Sequence, residues 1–225
     1  MDGKGVKMLR FLTAGESHGE ALVGILEGMP SGLKIDASDI NKDLKRRQEG
    51  YGRGQRMQIE EDRARILSGL IRGVTIGSPI AILIENKDFS IDKLPAIKNP
   101  RPGHADMAGI LKYGFRDARC VLERASARET AARVGIGAIC RILLAGFDIS
   151  IASRVLMIGG AKLEKIMKEK IDEAAKSKDT LGGIFEVIIK GVAPGLGSCM
   201  HYDRRLDAGL AEAIMSIPAV KAVEI

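Results

Sequence analysis

Apolar positions along the chain fall in short runs separated by glycine-rich turns, with one longer stretch of helical period. Residues 9–13 and Ala21–Glu27 each have the length of a strand. They flank the turn Gly15-Glu16-Ser17-His18-Gly19, which predicts two strands joined by a loop that holds His18. Residues 36–48 carry helix signals: Asp36 or Ser38 to cap the N-terminus, acids early, and Lys45, Arg46 and Arg47 at the end before Gly50. Residues 64–67 and Ile80–Glu85 read as strands around Gly69, Gly73 and Gly77, a meander more than a βαβ unit.

The second half alternates in the same way. Pro95, Pro100 and Pro102 exclude regular structure over 87–103 and predict a surface loop that delivers His104. From 116 to 146 one helix is predicted, with Val121, Leu122, Ala125, Ala132, Ile136, Ile139 and Leu143 at helical spacing and Gly146 as its C′ stop. Its small residues, Ala131, Gly135 and Gly137 among them, imply close packing on another layer. Strands are expected at 147–158 and 183–192, and helices at 162–178 and 203–216. With no repeat and no low-complexity tract, the expected class is mixed α/β or α+β with antiparallel hairpins. Residues 1–8 are polar and read as a disordered tail or an upstream start.

Composition narrows this picture. A chain of 225 residues is long enough for one large domain or two small ones. With no Trp and 4% aromatic residues, its core must be aliphatic. A net charge of +6 admits nucleic acid, an acidic membrane surface or a small anion as partner. The helix expected at 162–178 mixes both signs and reads as a solvated face. The unbalanced cations are arginines near glycines at 46–56 and 101–133, whose planar forks match carboxylate or phosphate. Cys120, Cys140 and Cys199 form no C-x-x-C pair, so a reducing, cytosolic compartment is expected, with Cys120 and Cys140 as small hydrophobes. No apolar run approaches the roughly 20 residues that span a bilayer and no signal-like segment opens the chain, so a soluble, cytoplasmic protein is expected.

Three places carry candidate chemistry. His18 is either a turn residue satisfied by its own backbone or a proton-transfer group oriented by Ser17 and Glu16. His104 follows the Pro102-Gly103 turn, where Asp106 could fix its tautomer; His201 has no such context and is assigned to the surface. Residues 45–56, with Arg47, Arg53 and Arg56, read equally as a disordered basic loop, an RGG-like nucleic-acid contact around Tyr51, or a phosphate site. Arg124 and Arg128 share a face with Ala131 and Ala132, which suits a buried ligand pocket better than a solvated helix laced with ion pairs. Zinc-ligand spacing, a Walker loop and a G-x-S-x-G elbow are absent. The Gly-x-Gly-x-Gly at 50–54 follows a helix, the wrong setting for a Rossmann turn.

Taken together, GESHG at 15–19, RRQEGYGRGQRM at 46–57, ILSGLIRGVTIGSPIAILIEN at 66–86, RPGHAD at 101–106, KYG at 112–114, LERASARETAARV at 122–134, and PGLGS, DRRLD and SIPAVKAVEI toward the end resemble the chorismate synthase family in order and spacing. The resemblance implies one β-α-β sandwich domain over 9–225, with helices between antiparallel sheets, assembled as a homotetramer. Family members continue beyond Ile225, so the domain is expected to be incomplete at its C-terminus, with apolar surface left uncovered. The implied activity is that of a carbon–oxygen lyase acting on a phosphate ester: 1,4-anti elimination of phosphate from 5-enolpyruvylshikimate 3-phosphate, giving chorismate, with reduced FMN as cofactor and NADPH as its reductant in some members. Carried over by motif, His18 is the general acid supported by Ser17, and His104 tunes the flavin. Arg47, Arg53, Arg56, Arg101 and Arg128 hold substrate anions, while Arg124, Ala125 and Ser126 line the FMN site. An inactive truncated homologue and a basic nucleic-acid-binding module are the competing readings; the resemblance implies a small anionic substrate and neither nucleic acid nor membrane.

Overall fold

The computed structural model describes residues 9–54 and 59–225, so the N-terminal tail and Arg56 lie outside the described residues. Strands β1 (Arg10–Ala14), β2 (Ala21–Glu27), β3 (Ala64–Ile66) and β6 (Ile80–Glu85) form an antiparallel sheet in the order β1-β2-β6-β3. Between β3 and β6 the chain makes a separate small hairpin, β4 (Leu70–Ile71) with β5 (Val74–Thr75), so the expected meander is interrupted. A second antiparallel pair joins β7 (Ser150–Ile158) to β8 (Gly183–Lys190).

Alternation along the strands decides which face of the main sheet is covered. Leu22 pairs with Ile84, Gly24 with Ile82 and Leu26 with Ile80. Leu22, Leu26, Ile80, Ile82 and Ile84, with Gly24 between the two leucines, project to one buried face, as the two-residue period of a strand requires. Helix α4 (Thr130–Ala145) lies across that face, and α1 (Ala37–Gln48) packs beside it. Ala131, Ala132, Ile136 and Ile139 of α4 meet Ile40 and Leu44 of α1 in the core. Glycine on each surface permits the approach: a Cβ at Gly24 would stand 2.9 Å from Ile136 Cγ1, and one at Gly135 would stand 2.5 Å from Ile82 Cδ1. Helix α4 also touches β7, and α5 (Glu164–Ser177) packs on β7, so helices lie between two antiparallel layers. The β7–β8 pair leaves Val155, Ile184, Phe185 and Val187 exposed. No helix among the described residues is long and apolar enough to cross a membrane.

Several boundaries differ from the sequence reading for local reasons. The single helix expected at 116–146 is three pieces: α3 (Arg119–Arg124), a 3-10 turn at Ala127–Glu129, and α4. Ser126 breaks it, because its backbone is extended and its hydroxyl caps the Arg128 N–H. Gly146 is right-handed and not the left-handed stop; Asp148 takes the positive φ of 59°, and β7 begins only at Ser150. Helix α2 (Asp106–Tyr113), ended by left-handed Gly114, was not anticipated. The proline-rich segment contains one 3-10 turn, Ile91–Lys93. The final helix, α6 (Leu206–Met215), starts late because Arg205 is extended after a 3-10 turn at Tyr202–Arg204. All three cysteines are free, and Cys120 is exposed instead of acting as a buried hydrophobe.

Candidate active site

The loop after β1 is shaped by Gly15. Its φ of +104° is open to glycine, and a Cβ there would strike the Ala21 carbonyl and stand 2.9 Å from Leu22 Cα. The loop therefore folds tightly against the start of β2 and docks on α3, where the Ser17 N–H donates to the Glu123 carbonyl at 2.9 Å. His18 Nδ1 lies 2.9 and 3.0 Å from the two carboxylate oxygens of Glu123, and its backbone N–H donates to the same group at 2.8 Å. Glu123 is only 2% exposed and also accepts from Arg119 at 3.2 Å. On the other side of the ring, Nε2 is 3.8 Å from Asp88. The Asn86 amide donates to the Gly19 carbonyl at 2.7 Å and closes the loop from β6.

Asn86 also links this loop to a buried charge network. Its carbonyl oxygen accepts from Arg128 Nε at 2.8 Å. Arg128 then pairs with Asp62 at 2.5 Å and Glu60 at 3.4 Å, all three side chains being at most 3% exposed. Asp62 is shared with Arg47, 3.0 Å away, whose guanidinium further donates to Thr130 Oγ1 and the Ala127 carbonyl. Burial lowers the pKa of Arg47 against the pull of Asp62, and the nearby Arg128 and Arg53 cations push it the same way. Arg53 itself is exposed and folds back over Gly50. The sequence reading expected Arg128 to face a ligand. Its guanidinium is instead enclosed by Asp62, Glu60 and Asn86, which accounts for its place beside the buried Ala131 and Ala132 without a pocket.

The basic segment is ordered over 45–54. The Tyr51 hydroxyl donates to Asp172 of α5 at 2.9 Å, and a Cβ at Gly52 would overlap Ile171. Arg124 is exposed, with its guanidinium donating to the carbonyls of Thr13 and Gly15. Ala125 is exposed and Ser126 half-buried at the same turn. Two concavities, of about 800 Å³ around Leu196, Arg205 and Leu210 and about 370 Å³ beside Arg65 and Leu83, are lined by none of these residues. Hydrogen bonding and charge, not hollow volume, mark the site.

Arg101 and His104 sit in a turn of their own. Asp106, fully buried, receives two bonds at 2.9 Å from the Arg101 guanidinium. His104 is exposed and its Nδ1 lies 2.9 Å from the Pro102 carbonyl, so the backbone, not Asp106, sets its orientation. The Arg101 guanidinium holds the Asp106 carboxyl at about 2, below the ordinary 3.8, and outweighs the upward push of burial. A carboxyl with a depressed folded-state pKa contributes stability above its unfolded value and loses it as pH falls. Thermal melts are therefore expected to show a loss between about pH 4 and pH 2 that Asp106→Asn reduces; equal acid sensitivity in both proteins would dismiss the pair as its source.

Sequence reasoning missed Glu60, Asp62, Asn86, Asp88 and Arg119, and treated Glu123 only as part of a motif. The acidic run Glu60-Glu61-Asp62, directly after the basic segment, was a signal for the first two.

Fold and site together define an α+β protein of the β-α-β sandwich class, carrying a histidine–carboxylate pair tied to a cluster of arginines. The chain belongs to the chorismate synthase family, whose family model matches residues 9–225. It is 56% identical over 220 residues to the chorismate synthase of Thermoanaerobacter pseudethanolicus, covering 96% of this chain and 63% of that one. The chorismate synthase of Caldanaerobacter subterraneus subsp. tengcongensis is likewise 56% identical over 219 residues, with the same coverage. A crystal structure of chorismate synthase superposes with a TM-score of 0.80 at 41% identity, over 97% of this chain and 69% of that one. The chain thus spans 63% of the length of these two relatives.

Proposed function

We propose that this chain eliminates phosphate from 5-enolpyruvylshikimate 3-phosphate to give chorismate, as a flavin-dependent lyase of aromatic biosynthesis. The observation that carries the reading is His18, held at Nδ1 by buried Glu123 and tied through Asn86 to clustered guanidiniums. A substrate with two carboxylates and a phosphate calls for concentrated arginine, and guanidinium forks meet such groups bidentately. Among the described residues, Arg53 and Arg101 are the accessible members of the set. Arg47 is mostly enclosed and Arg128 fully so, which suits them to fixing the loops and the positive field around the anion. Ser17 holds the histidine loop against α3.

In the elimination, a base on the opposite face of the ring takes a proton from carbon, the C–H electron pair moves into the ring as new π bonding, and the C–O pair leaves with phosphate. His18 places a proton from Nε2 on the departing phosphate oxygen and is left neutral. The Arg124-Ala125-Ser126 turn fits a flavin: it is accessible, Ala125 adds no bulk, and the Ser126 hydroxyl accepts from the Arg128 N–H, leaving its own hydrogen to donate. Reduced FMN, when bound there, supplies electron density that assists C–O cleavage without net redox change. His104, exposed beyond its turn, is assigned to the flavin edge, and NADPH serves as a source of the reducing equivalents.

A homotetramer is supported by Leu12 and Ile25, which pair in register and are exposed on the sheet face turned away from α4. Three free cysteines suit a reducing cytoplasm. The test is anaerobic phosphate release from 5-enolpyruvylshikimate 3-phosphate with dithionite-reduced FMN. Stoichiometric phosphate and chorismate, with the flavin still reduced at the end, is the expected result; phosphate release equal to a protein-free blank would overturn the assignment for this chain.

A further inference from the structure

Glu123 stands out among the buried ionisable groups because everything around it is a donor. The His18 backbone N–H, His18 Nδ1 and Arg119 NH1 converge on it at 2.8, 2.9 and 3.2 Å, and its side chain is 2% exposed. A carboxylate has only acceptor sites, so Nδ1 must carry the hydrogen it shares with Glu123. An unconstrained neutral imidazole prefers its hydrogen on Nε2. This environment imposes the opposite tautomer, in which Nε2 takes up and gives away the mobile proton.

Arg119 braces the carboxylate from behind. Its Nε donates to the Pro95 carbonyl at 2.7 Å, and Asp117 caps both the Arg119 and Ile97 N–H groups at 2.8 Å. The proline-rich loop is thereby pinned to the start of α3, and Glu123 sits one turn further along the helix, four residues from Arg119. With its backbone N–H and its ring on the same carboxylate, His18 has little freedom to turn. Asp88, on the segment after β6, lies 3.8 Å from Nε2, and the Glu16 side chain on the histidine's own loop packs against Gly19.

We propose that Glu123, braced by Arg119, is the positioning residue that fixes the His18 ring and its Nδ1–H tautomer so that Nε2 delivers the proton. The proposal rests on the functional reading above only for what that proton is used for; the tautomer can be read without turnover. The chain has three histidines, His18, His104 and His201, so each ring can be assigned by single replacement.

The experiment is nitrogen-15 NMR of the histidine rings in this chain at a pH where they are neutral, paired with kinetics. Wild type is expected to show His18 as the Nδ1–H tautomer. In Glu123→Gln the side-chain amide can donate to Nδ1, and the population moves to Nε2–H. In the phosphate-release assay kcat of Glu123→Gln falls about 10- to 100-fold, part of the 10²–10⁴ that a general acid contributes, with KM nearly unchanged. Glu123→Asp keeps the charge and recovers part of both signals. A wild-type His18 in the Nε2–H form, or a Glu123→Gln protein with unchanged tautomer and kcat, would overturn the proposal. A wild type that shows the Nδ1–H form yet releases no phosphate would instead sink the functional reading and leave the positioning role standing.

Discussion

Replacing Arg128 with methionine is expected to destabilise the chain by about 3–5 kcal/mol, the range seen when one partner of a buried ion pair is removed. The guanidinium neutralises Asp62 and Glu60 and also satisfies the Asn86 amide oxygen, with no solvent to take its place. Arg47 still faces Asp62 in the variant, and the Lys87 and Asp88 N–H groups still donate to Glu60 at 2.9 and 3.5 Å, but the Arg128 cation no longer offsets the Glu60 charge. The drop in melting temperature for a chain of this size should be roughly 6–20 °C. A second variant separates charge from packing: adding Glu60→Gln and Asp62→Asn to Arg128→Met removes the stranded charges and should recover part of the loss. A single variant that melts with wild type would mean the cluster is wet and weakly coupled.

Changing His18 to alanine should have the largest effect on turnover, lowering kcat by about 10²–10⁴ while flavin binding stays nearly intact. The imidazole is the group proposed to protonate the departing phosphate, whereas the proposed flavin turn lies at Arg124-Ala125-Ser126 and is held through Thr13 and Gly15. Loss of flavin affinity in step with kcat would reassign His18 to the cofactor. Titration of reduced FMN, with phosphate release on the same samples, reads both quantities.

The strand positions were legible because short apolar runs bounded by glycine turns survive in sequence; that Leu22, Leu26, Ile80, Ile82 and Ile84 form the buried face was not, since both faces of β2 and β6 are apolar. Helix α1 was legible too, from Asp36 at its start and three cations at its end. The break at Ser126 was hidden, because apolar spacing runs on through it while one hydroxyl diverts the backbone. The histidine loop could be picked out since glycines bracket an imidazole. Its partner could not, because Glu123 lies 105 residues away and looks in sequence like any acid on a charged helix. Arg128 was misjudged for the same reason, its counter-charges Asp62 and Glu60 being 66 and 68 residues distant.

The sequence by itself determined the element types, the aliphatic core, the family and the residue kinds available for anion chemistry, since these depend on local period, composition and motif. Only the tertiary structure decided which arginines stay exposed and which are spent on buried carboxylates, and which acid lies against His18. Pairing energies depend on distance and desolvation, and neither exists until chain packing brings α3 and α4 against the loops of the main sheet.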